Sequence, residues 1–312
     1  MTDPAKPVLL AYNGSEGSAA AIAVAGRLLG HRKAVVCHVW SGTSQAVFRT
    51  PPSGLPGVLK DAAEELDEFD RETAQAVAGE GVELARSAGF DAEALAERRE
   101  TKTWRTLLEA AARHDAAVLV TGAHGVSGTG RALLGSVSTG VVHHSRLPVL
   151  VVPGTTGDEH TGGPLLLSYD GSEGAKQAIS AAGRAFAERS AIVFHTWESW
   201  MAEAPALAGA SATVQGVAAE LDEVADEQSS ALAAEGVQVA ESAGLNAEAL
   251  SERATGPAWK AVLDAADRRA CAAIVVGSRG LTGISAALGS ISNGVVHHSR
   301  RPVLVVPPEE ER

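Results

Sequence analysis

Apolar and polar positions along the chain fall into short blocks of alternating period. Residues 7–13 (PVLLAYN) are almost continuously apolar, as in a strand buried on both faces. Ser15 then precedes a run of helical periodicity that closes at Leu29 and Gly30, a serine N-cap and a glycine stop. Residues 34–40 (AVVCHVW) predict a second strand. Residues 41–57 hold turn residues, including Pro51-Pro52, and read as a loop. A long acidic helix is expected from about Val58 to Ala88, before Gly89. Residues 92–98 (AEALAER) favour helix by intrinsic propensity. They lie, however, between a glycine-stopped helix and a helix starting near Thr103, so alternation asks for a strand with Ala92, Ala94 and Ala96 on one face. A helix over 104–113 and a strand over 117–121 follow.

The whole pattern occurs twice. Residues 8–15 (VLLAYNGS) return as 165–172 (LLLSYDGS), and residues 35–40 (VVCHVW) return as 192–197 (IVFHTW), both at an offset of 157. Trp104 returns as Trp259 at 155, and His143-His144-Ser145 returns as His297-His298-Ser299 at 154. A repeat of this length predicts two domains in tandem, residues 1–153 and 165–312, joined by a Gly/Thr/Pro-rich linker over 154–164. In the second copy Ser172 caps the first helix, residues 191–197 form a strand, and residues 217–243 form the long helix before Gly244. Strand and helix alternate throughout, which predicts an α/β fold: two Rossmann-like, doubly wound parallel sheets of five strands each.

The stretch that carries chemistry is residues 118–152, repeated as 274–306. A β-branched strand runs into a glycine-rich loop, then a Gly-Ser pair (Gly135-Ser136, Gly289-Ser290), a short helix and a Pro-Val-Leu-Val-Val strand. Glycines let the backbone approach a ligand and take up positive φ, and N–H groups at a helix start bind anions. Ser136 reads as the helix cap and as a hydroxyl for a phosphate oxygen. In doubly wound sheets the ligand lies at the carboxyl ends of the strands, at the switch point, here between strands one and four.

The spacing G-x2-G-x9-G-S (Gly122, Gly125, Gly135, Ser136), with its strand context, resembles the nucleotide-binding members of the universal stress protein family. The second copy keeps Gly277 and Gly280 but has eight residues, not nine, before Gly289. The resemblance implies five strands, ATP between strands one and four, and Mg2+ as a companion of the nucleotide. It also implies an acidic residue at the end of strand one that accepts from adenine or ribose. Asp170 keeps that residue and Asn13 departs from it, offering an uncharged amide oxygen. Ala11 and Ser168 would line the base, and backbone groups at Val39 and Thr196 would meet its edge. Thr121, Gly122, His124 and Gly125, or Val276, Gly277, Arg279 and Gly280, would follow strand four. Gly135, Ser136, Val137 and Ser138, or Gly289, Ser290, Ile291 and Ser292, would open the helix. The short second loop removes up to about 3.5 Å of reach, so the phosphate site reads better in the first half and the base contact better in the second. The strands from Pro148 to Val152 and from Pro302 to Val306 would form an internal pseudo-dimer interface, with a further homodimer compatible.

Net charge is −12 (26 Lys and Arg against 38 Asp and Glu), which disfavours nucleic acid as a partner. The first residues do not resemble a secretory signal and no apolar run has membrane-spanning length, so the expected location is the cytoplasm. Cys37 and Cys271 do not occupy equivalent repeat positions and read as buried free thiols. The paired histidines read as helix C-terminal groups rather than metal ligands, since neighbours on a helix do not share a face. His38 and His195 read as satisfied strand groups, and Trp40 and Trp197 as packing residues. No Walker loop, G-x-G-x-x-G, G-x-S-x-G, H-E-x-x-H or C-x-x-C is present. An ATP-binding regulatory protein is the leading function. A slow ATPase or adenylyl- or phosphoryl-transferring enzyme and a nucleotide-free interaction scaffold are the alternatives.

Overall fold

The computed structural model describes residues 6–42, 57–123, 134–154, 161–186, 188–199, 211–278 and 288–308. The chain divides into two compact units, residues 2–156 and 157–312. In the first, the described elements are β1 (Val8–Ala11), α1 (Glu16–Leu29), β2 (Lys33–Trp40), α2 (Gly57–Ser87), β3 (Asp91–Arg98), α3 (Thr103–Arg113), β4 (Val118–Gly122), α4 (Ser136–His144) and β5 (Val149–Val152). Its strands are parallel, in the order β3-β2-β1-β4-β5. Val8 stands beside Ala34 on one side and Val118 on the other. The central strand is therefore walled in on both edges, and Val8, Leu9 and Leu10 are fully buried. Helices α1 and α2 pack together, as do α3 and α4, the two-sided cover that a parallel sheet requires.

The second unit repeats this with β6 (Leu165–Ser168), α5 (Glu173–Ala185), β7 (Ser190–Trp197), α6 (Ala212–Ser242), β8 (Asn246–Arg253), α7 (Ala258–Arg268), β9 (Ala273–Gly277), α8 (Ser290–His298) and β10 (Val303–Val306), in the order β8-β7-β6-β9-β10. Both halves have the α/β fold with a parallel sheet that the alternation predicts.

The ambiguous run around 92–98 is a strand. Every residue of β2 has a partner in β3, from Lys33 beside Asp91 to Trp40 beside Arg98. The backbone groups on that edge of β2 need partners, and this need exceeds a helix preference of a few tenths of a kcal/mol per residue. The face expected from Ala92, Ala94 and Ala96 is only partly covered: Ala92 is buried, Ala96 half-buried and Ala94 exposed, as befits the last strand of the order. Helix α6 begins at Ala212, five residues before the expected start at Val217. Ser211 stands at the N-cap position and residues 212–216 (ATVQG) contain no proline, so the earlier start is compatible with the local sequence. Residues 43–56 of the expected loop and residues 155–160 of the expected linker lie outside the described residues.

The paired histidines have a packing role that the helix-dipole reading omits. The second of each pair stacks on a tryptophan, His144 on Trp104 at 4.3 Å between ring centroids and His298 on Trp259 at 4.6 Å. A glycine one turn earlier makes room: a Cβ on Gly140 would stand 2.2 Å from Trp104 Cδ1.

Candidate functional site

Each half turns from its first strand into its first helix through a three-residue device. In the first half Asn13 Oδ1 accepts from the backbone N–H of Ser15 at 3.2 Å and from its hydroxyl at 2.6 Å. Ser15 Oγ in turn accepts from Ser18 N at 3.2 Å and so caps α1. The second half repeats this: Asp170 Oδ1 accepts from Ser172 N at 3.1 Å and Ser172 Oγ at 2.6 Å, and Ser172 Oγ accepts from Ala175 N at 3.2 Å. The intervening Gly14 and Gly171 have φ of 77° and 79°, where a side chain would be strained. Gly125 and Gly280, in the loop after strand four, lie outside the described residues. Gly122, Gly135, Gly277 and Gly289 all have ordinary negative φ.

This arrangement corrects one expectation. The amide oxygen of Asn13 is already engaged by two donors within the turn. An N–H can be accepted only by oxygen, so the free atom at position 13 is the Nδ2 amide nitrogen, a donor. The free atom of Asp170 is a carboxylate oxygen, an acceptor.

The second part of the site is the start of α4 and α8. Gly135 and Gly289, not the following serines, are the caps, and neither helix has a side-chain cap bond. Ser136 and Ser290 are the first helical residues and are exposed. Among the described residues the first-turn N–H groups therefore lack the side-chain acceptor that Ser15 and Ser172 provide elsewhere, which leaves them suited to an anion. Ser138 and Ser292 are buried, and their hydroxyls donate to the carbonyls of Gly122 (2.7 Å) and Gly277 (2.5 Å). They tie the helix start to the end of the fourth strand, which sets the direction in which the first turn points.

In the second half these parts meet around a crevice of about 250 Å³ at the carboxyl ends of β6, β7 and β9. Nine of the residues singled out from the sequence line it: Ser168, Asp170, Thr196, Val276, Gly277, Gly289, Ser290, Ile291 and Ser292. Tyr169, Ala175, Phe194, His195 and Ala258 complete the wall. The sequence reading named none of these five as a site residue, and singled out His195 only as a satisfied strand group. Ala258 follows Pro257 at the start of a helix, a signal that marks the element but not its nearness to the crevice. His195 Nδ1 donates to the carbonyl of Tyr169 at 2.7 Å, as His38 Nδ1 does to Tyr12 at 3.0 Å, so both are satisfied strand groups. The hydroxyl of Tyr169 donates to Glu235 Oε1 at 2.8 Å. Burial first, and then that bond, hold the phenol above the ordinary tyrosine range, so it stays a neutral donor. Thr196 is on the crevice wall, and its Oγ1 is buried with no hydrogen-bond partner among the described residues. A bound polar group there would remove the cost of an unsatisfied hydroxyl. Among the described residues Asp170 is the one carboxylate on the wall, and the start of α8 lies on the same wall.

In the first half Ala11 and Asn13 close β1, Val39 lies near the end of β2, and Thr121 and Gly122 end β4, so the same strand ends converge. The buried Thr121 hydroxyl donates to the carbonyl of Gly122 at 3.2 Å. Val137, like Ile291, sits half-buried in the first helical turn. His124, Gly125, Arg279 and Gly280 lie outside the described residues. Trp40 and Trp197 take part in packing of the long helices. The Arg98 guanidinium, paired with Asp67 at 2.7 Å, lies over the Trp40 ring, and Trp197 Nε1 donates to Asp226 at 3.1 Å.

The model of the universal stress protein family matches this chain twice, over residues 4–153 and 163–307. A universal stress protein of Mycolicibacterium smegmatis (strain ATCC 700084 / mc(2)155) is 30% identical over 218 residues, 68% of each chain. Among solved structures, a universal stress protein from Archaeoglobus fulgidus DSM 4304 superposes with a TM-score of 0.63 at 22% identity, covering 97% of this chain and 98% of the other. A functionally unknown protein from Pseudomonas aeruginosa PAO1 superposes with a TM-score of 0.50 at 18% identity, covering 97% and 93%. The two solved structures share the fold with this chain.

Proposed function

The chain belongs to the universal stress protein family, and from that footing we propose that it binds ATP as a regulatory ligand. The observation that carries the proposal is the crevice of the second half. A carboxylate (Asp170) and an unpartnered hydroxyl (Thr196) stand on its β6 and β7 side, and a helix start without a side-chain cap stands on its β9 side. A base-and-ribose end and a phosphate end are thus opposed across the strand ends, the polarity an adenine nucleotide requires. Mg2+ would arrive on the phosphates, with water completing its shell.

The chain also has no side chain placed to turn ATP over among the described wall residues. We therefore favour regulation over catalysis. Two further expectations accompany this reading. The protein works in the cytoplasm: both cysteines are free and buried, and among the described residues no helix is long and apolar enough to cross a membrane. Its acidic surface makes nucleotides rather than nucleic acids the partners.

The test is the nucleotide content of the purified protein, released by denaturation and separated by chromatography. Adenine nucleotide in the wild type, lost on Gly122→Val/Gly135→Val or on Gly277→Val/Gly289→Val, supports the reading and assigns the half. No nucleotide, and no uptake of added millimolar ATP, refutes it. Recovery of ADP after loading with ATP would favour a slow ATPase.

A further inference from the structure

The two long helices bury small residues and leave larger apolar ones in water. On α2 the buried positions include Ala63, Ala74 and Ala78, while Leu66 and Phe69 are exposed, Phe69 at 67%. On α6 Ala218 and Ala233 are buried, while Val214, Val217, Leu221 and Val224 are exposed, Val217 at 53%. A helix that served only to cover its sheet would turn the larger side chains inward, where their burial gains most. Single exposed apolar residues are ordinary on a protein surface, but an ordered row of them marks a place of contact.

The exposed residues of α6 form such a row. Their spacing of three, four and three residues keeps them within about 80° of one another around the helix, over about 15 Å of its length. That spacing is the seam by which one helix packs along another. The row recurs in the first half. Helices α2 and α6 have the same length at an offset of 155, so Leu66 and Phe69 correspond to Leu221 and Val224, and the exposed Ala62 corresponds to Val217. On its solvent side the row is bordered by exposed carboxylates, Glu65 and Glu72 on α2 and Glu220 and Glu227 on α6. The charge beside it is one-sided. Residues 212–242 include no lysine or arginine, and Arg71, the single base between Asp61 and Glu72, is paired with Glu68.

We propose that each long helix is a docking face for a cationic amphipathic helix of a partner protein. The apolar residues of the partner, at three- and four-residue spacing, lie along the row. Its lysines and arginines meet Glu65 and Glu72 on one half, or Glu220 and Glu227 on the other. Charge argues against a second copy of this chain as the occupant. Two such faces laid together would set acidic borders against each other, the kind of mismatch that rejects a wrong partner. The inference stands apart from the nucleotide reading, since it uses neither the crevice nor the helix starts around it.

The experiment uses the full-length protein and a synthetic peptide with leucine at heptad spacing and lysine elsewhere. Its controls are a scrambled peptide of equal composition and an amphipathic peptide with glutamate in place of lysine. Calorimetric titration at low and high salt gives affinity and stoichiometry. Two copies of the probe are expected per chain, bound about tenfold or more tightly than either control and more weakly at high salt. Leu66→Lys/Phe69→Lys should remove one site and Leu221→Lys/Val224→Lys the other. Glu65→Lys/Glu72→Lys should weaken the first site by about tenfold and flatten its salt dependence. All of these side chains are exposed, so thermal unfolding should move little and a lost site is not a folding defect. Equal binding of the scrambled peptide, or binding that the lysine variants leave unchanged, overturns the proposal and leaves only a general attraction to acidic surface. A wild-type dimer that the lysine variants dissociate in analytical ultracentrifugation also overturns it, and gives the face to a second copy.

Discussion

Two chemically identical substitutions should act with opposite sign in this fold. Gly26 lies in α1, where it meets the residue just past the end of α2. A Cβ built on it would stand 2.3 Å from the Ala88 carbonyl oxygen and 2.7 Å from the Ala88 Cβ. Comfortable separation is about 3.5 Å, so the two segments would have to part by about 1 Å. Both obstructing atoms belong to, or are anchored directly on, the backbone, and no rotamer change can relieve them. Gly→Ala within a helix otherwise stabilises by about 1 kcal/mol. Overpacking against a rigid neighbour costs about 1–3 kcal/mol, the upper end when only backbone can yield. Gly26→Ala should therefore destabilise by about 2 kcal/mol. Gly79 in α2 has nothing within 4 Å of the same added atom, so Gly79→Ala should stabilise by about 0.5–1 kcal/mol. The gap of about 3 kcal/mol between the two variants is read from urea unfolding followed by circular dichroism. Gly183→Ala should copy Gly26→Ala, since its Cβ would meet the Ala243 carbonyl oxygen at 2.2 Å. Equal midpoints for Gly26→Ala and Gly79→Ala would refute the reasoning. The effect matters for the site, because α1 begins at the turn that orients Asn13.

Other outcomes follow from single contacts. Ser172→Ala removes the cap of α5 and the hydroxyl donor to Asp170, leaving the backbone N–H donor in place, and should cost about 1 kcal/mol in thermal unfolding while weakening ATP binding by the second half. His144→Ala removes the stack on Trp104 and should cost about 1 kcal/mol, with a change in tryptophan emission. Burial pushes the Cys37 thiol from its ordinary 9.0 up to about 12. The folded state thus holds this proton more tightly than the unfolded chain. The stabilisation is complete below about pH 9 and is lost as pH rises toward 12, which urea midpoints across that range would register. The same burial should leave both thiols inert to a thiol reagent at pH 8 until the protein is unfolded.

Much of this protein is legible in its residues because the signals are local or repeated. Ser15 and Ser172 announce helix starts, Gly30 announces a stop, and the β-branched runs announce buried strands. The recurrence of every block announces two similar halves. Even the run at 92–98, helical by composition, is recovered as strand by its place between two helices. The chemistry of Asn13 and Asp170 is visible as a difference of residue type. Its direction is not. Each side chain has two polar ends, and only the folded turn shows that the serine takes Oδ1 in both, leaving a donor in one half and an acceptor in the other. The same competition placed glycine rather than serine at the caps of α4 and α8, and turned the Ser138 and Ser292 hydroxyls toward strand carbonyls. The stack of His144 on Trp104 and the closeness of Gly26 to Ala88 join residues tens of positions apart, beyond the reach of any period or cap. Local pattern determines which element forms, because backbone hydrogen bonds and side-chain periodicity act over a few residues. Which of several available partners each polar atom takes is decided when distant segments are brought within 3 Å of one another, and that allocation makes the site.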